Sequence, residues 1–233
     1  MKYYIFLFNA FIFLFSFGIK AQNSGNLVET NRINSMGNNR PNQIMTIKKD
    51  YSDVKAKGSP YLNEAYVKGT VYINGNPNNE AFIRYNAHLD FIEVKEGNQV
   101  YQLFRRPNIW VEMNGKKLGI LEYLENGESK SGYLFPLAEG AMSFYKKPAR
   151  RLIDGKEPKS GYDQYIPPRY VDDHRYYLQM NDGPITEVKV NNRFVKELFG
   201  ADYKKVTEYA KTQDLDPKNP EELAALIDWY NSL

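Results

Sequence analysis

Few side chains in this sequence could do chemistry, and their spacing narrows what that chemistry is. There are 0 cysteines and 2 histidines, His88 and His174. Thiolate nucleophiles and disulfide staples are therefore closed, and only these imidazoles can carry a proton near neutral pH. Asp172, Asp173 and His174 form the tightest cluster of acids and imidazole, donors that suit a divalent ion. Successive residues on an extended segment point to opposite faces, so the three do not converge on one metal; a solvated turn before a strand accounts for them. Ser59, Ser131, Ser143 and Ser160 lack the strand, sharp turn and helix of a nucleophile elbow. Glu93, Glu112, Glu122 and Glu125 fall on or beside predicted strands. They could supply facing carboxylates for glycoside cleavage, which needs a gap of about 5–10 Å across a cleft, but solvated strand faces are the simpler account. The residues predict no catalytic set, no metal and no cofactor, and an envelope hydrolase ranks below a binding function.

The stretch from Pro148 to Tyr170 has the composition of a recognition surface. Arg150, Arg151, Tyr162, Tyr165, Arg169 and Tyr170, with Lys156 and several prolines, combine rings that supply contact area with guanidinium groups that supply directed hydrogen bonds. A glycan or an envelope protein is the partner such a surface would meet. The plainer account is a surface connection whose tyrosines pin it to a sheet. Arg105, Arg106 and Trp110 invite the same pair of readings at a hairpin end.

The elements that must position these residues are mostly strands. From Gly58 onward, short runs of Val, Ile, Tyr, Phe and Leu alternate with turn pairs, the pattern of antiparallel strands joined by hairpins. Predicted strands are Tyr66–Ile73, Ala81–Ala87, Phe91–Lys95, Gln99–Phe104, Ile109–Met113, Lys116–Tyr123, Lys130–Ala138, Ala141–Lys147, Arg175–Met180 and Ile185–Val190. Asn114–Gly115 gives the clearest hairpin, because Asn-Gly takes the positive φ angles of a type I′ turn at little cost. In Ile109–Met113 the odd positions are apolar and face a core, which leaves Trp110 on a second, partly covered face. The period then changes. Phe194, Val195, Leu198 and Phe199 before Gly200, and Tyr203, Val206 and Ala210, mark two short helices. A third begins with Asn219 as cap, Pro220, Glu221 and Glu222, with Leu223, Leu226, Ile227 and Tyr230 on one face. The fold expected is α+β: an antiparallel, curved β-meander sheet or partly closed barrel of about eight strands, with two or three short C-terminal helices.

The beginning of the chain points outside the cytoplasm. Lys2, the Phe-rich apolar run Ile5–Ile19 and the small Ala21 read as a secretory signal peptide over residues 1–21, too short to span a bilayer comfortably. Residues 22–57 are rich in Asn, Ser, Gly and Lys and read as a flexible polar leader, with one short docking strand near Ile44–Ile47. Residues 58–233 form one strand-rich domain whose helical part is 191–233. The absence of cysteine excludes lipoprotein acylation, and no later stretch has the length and apolarity of a transmembrane helix. A formal net charge of +3, reduced further by loss of Lys2 and Lys20, gives no footprint for nucleic acid.

The segment Gly58, Ser59, Pro60, Tyr61, Leu62, Asn63, Glu64, then Gly69, Thr70, Val71, Tyr72, then Arg84, Tyr85, Asn86 resembles a group of uncharacterised exported proteins of Bacteroidota. The helical tail from Val195 to Tyr230 is similar to the same group. The resemblance implies a periplasmic or secreted location and an envelope interaction, and it carries no catalytic residues. The expectation is a non-enzymatic binding or assembly module of the cell envelope. The alternative is a carrier that holds a small apolar or aromatic ligand inside a curved sheet.

Overall fold

The computed structural model describes residues 55–160 and 162–233. The expected signal peptide, most of the polar leader and the docking strand near residues 44–47 lie outside the described residues.

Twelve strands are formed: β1 (Val67–Ile73), β2 (Asn76–Asn86), β3 (Phe91–Glu96), β4 (Gln99–Gln102), β5 (Ile109–Met113), β6 (Lys116–Glu125), β7 (Glu128–Ala138), β8 (Met142–Lys147), β9 (Arg150–Ile153), β10 (Arg169–Asp172), β11 (Arg175–Met180) and β12 (Thr186–Val188). Ten make one sheet in the order β12-β11-β8-β7-β6-β5-β1-β2-β3-β4. The hairpins form where Asn-Gly permits them. Asn74–Gly75, Asn114–Gly115 and Asn126–Gly127 all have positive φ at both residues, the twist that continues into right-handed strands.

The sheet is not one unbroken meander. After β4 the chain returns to the far side of β1, so β1 lies between β2 and β5. The register Ile73↔Ile109 and Val71↔Val111 puts the apolar positions of β5 on the buried face of β1. Asn108 holds the crossing by donating to Asn74 Oδ1 at 2.9 Å, while its carbonyl accepts from Asn74 N.

β6 and β7 then serve two cores at once. Leu118, Ile120 and Tyr133 join Val71, Ile83, Tyr85, Ile92, Val94, Leu103 and Val111 in the first, over which the sheet curls. Tyr123 and Leu134, on the opposite face of the same strands, pack with Tyr177 and Ile185 in the second. This second core is the inside of a five-stranded barrel, β6-β7-β8-β11-β12, closed where β12 meets the end of β6 in parallel at Thr186↔Leu124. Leu124 N donates to Ile185 O at 2.8 Å at the seam.

The helices α1 (Asn192–Phe199), α2 (Tyr203–Thr212) and α3 (Pro220–Asn231) cover the outside of the barrel. They bury Val195, Phe199, Val206, Leu223, Leu226 and Ile227 against Ala138, Met142 and Phe144. Local signals explain their ends. Asn191 Oδ1 accepts from Phe194 N, Asn219 accepts from Glu221 N and Glu222 N, and Gly200 ends α1 at φ 50°. Asn231 ties the end of α3 to the β7–β8 turn. Its Oδ1 accepts from Met142 N at 3.0 Å and its Nδ2 donates to Met142 O at 2.8 Å. No described helix is long and apolar enough to cross a membrane.

The fold is therefore the α+β class expected, with more strands. Two of the additional strands come from Pro148–Tyr170, read from the sequence as an aperiodic connection. It folds back on itself as the ribbon β9–β10, with Leu152 opposite Tyr170 and Arg151 opposite Val171, extended by a bridge between Lys156 and Ile166. Mutual pairing satisfies a backbone whose side chains show no period.

Candidate functional site

On β6 the odd positions face the barrel interior, and toward the start of that strand this face runs on past the barrel to β5 and β1. The result is a cleft of ≈390 Å³ lined by Tyr72, Trp110, Leu134, Pro136 and Tyr145, with Lys117 and Glu139 among its polar residues. The hairpin sets its central feature. Its two-residue turn at Asn114–Gly115 fixes the register Trp110↔Gly119, and a Cβ on Gly119 would lie 2.5–2.7 Å from Cε3, Cδ2 and Cζ3 of Trp110. The indole thus lies flat on the bare backbone of Gly119. Tyr72 is its cross-strand neighbour on the other side, with the Lys117 ammonium 5.1 Å over its ring.

Both tyrosine hydroxyls are bonded to fixed partners. Tyr72 donates to Glu112 Oε2 at 2.8 Å, a bond that pushes its pKa up. Tyr145 donates to Gln179 Oε1 at 3.1 Å, and burial raises its pKa. Both stay neutral at physiological pH and are held by their tips. The rim is formed by Glu139, whose carbonyl accepts from Asn231 Nδ2, so α3 braces this edge of the cleft.

The barrel interior itself is occupied. Tyr123 and Tyr177 pack at 4.7 Å between ring centroids. Tyr177 donates to Glu125 Oε2 at 2.9 Å, and Glu125 also takes Lys130 and Arg175. Burial pushes the Glu125 carboxyl up, but the bonds from Lys130 and Tyr177 and the Arg175 charge outweigh it and hold it below its usual range. Below Tyr123, Asp90 collects Lys147 at 2.8 Å, Arg105 at 3.1 Å and the hydroxyl of Tyr85 at 2.8 Å. These side chains occupy the inside of the barrel.

The residues singled out in the ribbon separate into two sets. Arg150 and Tyr170 belong to its base. Arg150 pairs with Asp172 at 2.7 Å, its carbonyl meets His88 Nδ1 at 3.0 Å, and Tyr170 packs edge-on against His88. Arg151, Arg169, Tyr162 and Tyr165 are exposed. Tyr162 is 100% and Tyr165 53% exposed, so these two rings do not pin the ribbon to the sheet.

The other candidate chemistry is dispersed. Asp172 and Asp173 go to Arg150 and Arg151, and among the described residues no three acidic or imidazole groups stand together as metal ligands. Glu93 is held by Tyr61, Tyr66 and Arg84, Glu112 by Tyr72, and Glu122 is exposed. Ser59, Ser143 and Ser160 bond within nearby turns. His174 borders a second cleft of ≈650 Å³ with Tyr176, Glu187 and Lys189. Its Nδ1 accepts from Ala149 N at 3.2 Å.

Sequence reasoning reached Trp110 but not the cleft. Type I′ geometry at Asn114–Gly115 already pairs Trp110 with Gly119, and a glycine opposite a tryptophan is the signal that the ring lies flat. Tyr72 and Tyr145 come from distant strands, with no local signal. Comparison of the chain with protein-family models, with curated proteins and with solved structures finds no match.

Proposed function

We propose that the chain is an exported, non-enzymatic binding module of the cell envelope that seats its ligand in the Tyr72–Trp110–Tyr145 cleft. The observation that carries this reading is the indole laid flat on Gly119 in a cleft it shares with two tyrosines whose hydroxyls are already committed. Ring faces held at fixed angles lose little freedom on binding, which favours recognition. The leader pattern of residues 1–21 and the likeness of Gly58–Glu64 and Arg84 to exported Bacteroidota proteins support the location. Reaction chemistry has less support, because the carboxylates are taken up by neighbouring donors.

Two measurements test the proposal. Cell fractionation with mass spectrometry of the N-terminus should find a product that begins near Gln22 outside the cytoplasm; an intact Met1 in the cytosol would overturn the location. The purified protein should be retained by cell-envelope material, and Trp110→Ala should abolish retention while Tyr162→Ala leaves it intact. The reverse pattern would move the site to the β9–β10 ribbon. That second reading, docking of an envelope protein at the ribbon tip, is favoured by the full exposure of Tyr162.

A further inference from the structure

We infer that the cleft takes a neutral saccharide, stacked by the apolar C–H face of a sugar ring on Trp110. The inference rests on the reading of this cleft as the ligand seat and adds the chemical class. One face of the indole is backed by Gly119, where no side chain intervenes. The ring borders the cleft with its electron-rich π face, which attracts the polarised C–H bonds of a pyranose. Tyr72, directly across the strand pair, borders the same cleft with the Lys117 ammonium 5.1 Å over its ring, and Leu134 and Pro136 supply apolar lining.

The polar groups decide between a sugar and the other ligand that such grooves attract, a proline-rich peptide. A polyproline helix presents backbone carbonyls, which accept hydrogen bonds, and aromatic grooves commonly hold it with ring O–H and N–H donors. Here the O–H of Tyr72 is spent on Glu112 and that of Tyr145 on Gln179. What remains along the cleft is the indole N–H of Trp110, the ammonium of Lys117, 5.1 Å over the Tyr72 ring, and the carboxylate of Glu139, which a polyproline helix, having no donor, leaves unsatisfied. A hydroxyl group accepts from Lys117 and donates to Glu139, so a neutral polyol satisfies both. An anionic sugar would be drawn by Lys117 and repelled by Glu139 to a similar degree. The volume, ≈390 Å³, lies at the small end of the roughly 300–1,000 Å³ range of small-ligand sites and suits one or two sugar units.

The test is a glycan array probed with the full mature chain, followed by titration of any hit against the Trp229→Phe variant, in which Trp110 is the remaining indole. Neutral glycans should bind and shift the Trp110 emission. Trp110→Ala should weaken binding at least about tenfold, equivalent to about 1.4 kcal/mol. Lys117→Ala and Glu139→Gln, both at exposed positions, should each weaken it severalfold with an unchanged circular dichroism spectrum, so the result does not depend on how Trp110→Ala folds. A ten-residue polyproline peptide and oligogalacturonate serve as the competing probes. Emission shifts with polyproline and no neutral glycan would overturn the saccharide while preserving the cleft as a binding seat. Binding to no probe, with envelope retention indifferent to Trp110→Ala, would overturn both.

Discussion

The guanidinium of Arg84 lies over the ring of Tyr61, 3.5 Å from its centroid. Tyr66 meets the same guanidinium at 4.3 Å, and both tyrosine hydroxyls donate to Glu93, the carboxylate that Arg84 also holds at 2.7 Å. Arg84 NH1 donates to Glu64 O at 2.9 Å. This assembly fastens the segment before β1 across β3, which explains why Glu93 is buried in a strand whose first four residues are all buried. A planar cation fits between two rings as an ammonium cannot. Arg84→Ala leaves Glu93 buried without its counter-charge and should lower stability by about 3 kcal/mol, read as a fall in urea midpoint. Arg84→Lys should recover less than half of that loss. Burial and the bond to Glu93 push Tyr61 up to about 12, and burial raises Tyr66, Tyr85, Tyr133 and Tyr177 as well, so alkaline titration of tyrosinate absorbance should show a late phase whose amplitude Tyr61→Phe lowers by one tyrosine.

Asp90 does for the barrel floor what Glu93 does for that segment. It sits at positive φ in the turn between β2 and β3 and reaches across to Lys147, Arg105, the Tyr85 hydroxyl and Tyr133 N. Gly132 keeps the space open, since a Cβ there would come within 2.5 Å of Asp90 Oδ2. Asp90→Ala should cost about 3 kcal/mol because Lys147 stays half-buried and unpaired. Gly132→Ala should lose a comparable amount by forcing the same carboxylate and ammonium apart. Denaturant unfolding of the two single variants and the double variant checks this. The losses should fall well short of additive, as expected when both changes break one network.

What could be read from the sequence was set by nearest neighbours along the chain. Asn-Gly pairs fixed three hairpins, and the Asn219–Pro220–Glu221 entry fixed α3, because each is a matter of a few consecutive dihedrals and donors. The return of β4 to β5 across β1, and the parallel seam between Leu124 and Thr186, depend on which distant apolar faces meet, and no local residue records that choice. The candidate site divides along the same line. Trp110 and Gly119 are partners within one hairpin, whereas Tyr72 and Tyr145 are delivered by strand order. Tyr61, Glu64 and Arg84 share the assembly around Glu93, which joins residues too far apart along the chain for any local signal. The ribbon was misread because its pairing rests on backbone bonds between strands with half-buried or exposed side chains, which leaves no hydrophobic period to detect.

Acidification should weaken the fold through His174. Burial, then the charge of Lys146, holds this imidazole below its ordinary pKa, with Asp172 and Glu221 opposing and Arg150 assisting. The bond from Ala149 N to Nδ1 also requires that nitrogen to be unprotonated. The folded state thus takes up its proton at lower pH than the unfolded chain. The contribution is fully present above the unfolded value of about 6.5 and is lost as pH falls through the folded value. Urea midpoints between pH 7.5 and 5 should decline for the wild-type chain and decline less for His174→Gln. Parallel declines would assign the acid sensitivity to other groups.

Gly119→Ala is the sharpest test of the cleft, because two effects of opposite sign compete at one methyl group. Alanine in a strand interior should gain about 0.5–1 kcal/mol over glycine from backbone entropy. The new Cβ, however, would lie 2.5–2.7 Å from three carbons of the Trp110 ring, and an indole cannot bend away as the end of a lysine can. The ring must leave the backbone and tilt into the cleft, an overpacking cost of about 1–3 kcal/mol. The clash should win, with a small net loss of stability and a red-shifted Trp110 emission in the Trp229→Phe background as the ring moves into water. Loss of the flat platform should then remove ligand retention even though every side chain that lines the cleft is still present. A Gly119→Ala protein with unshifted emission and full retention would show that the indole does not rest on this backbone.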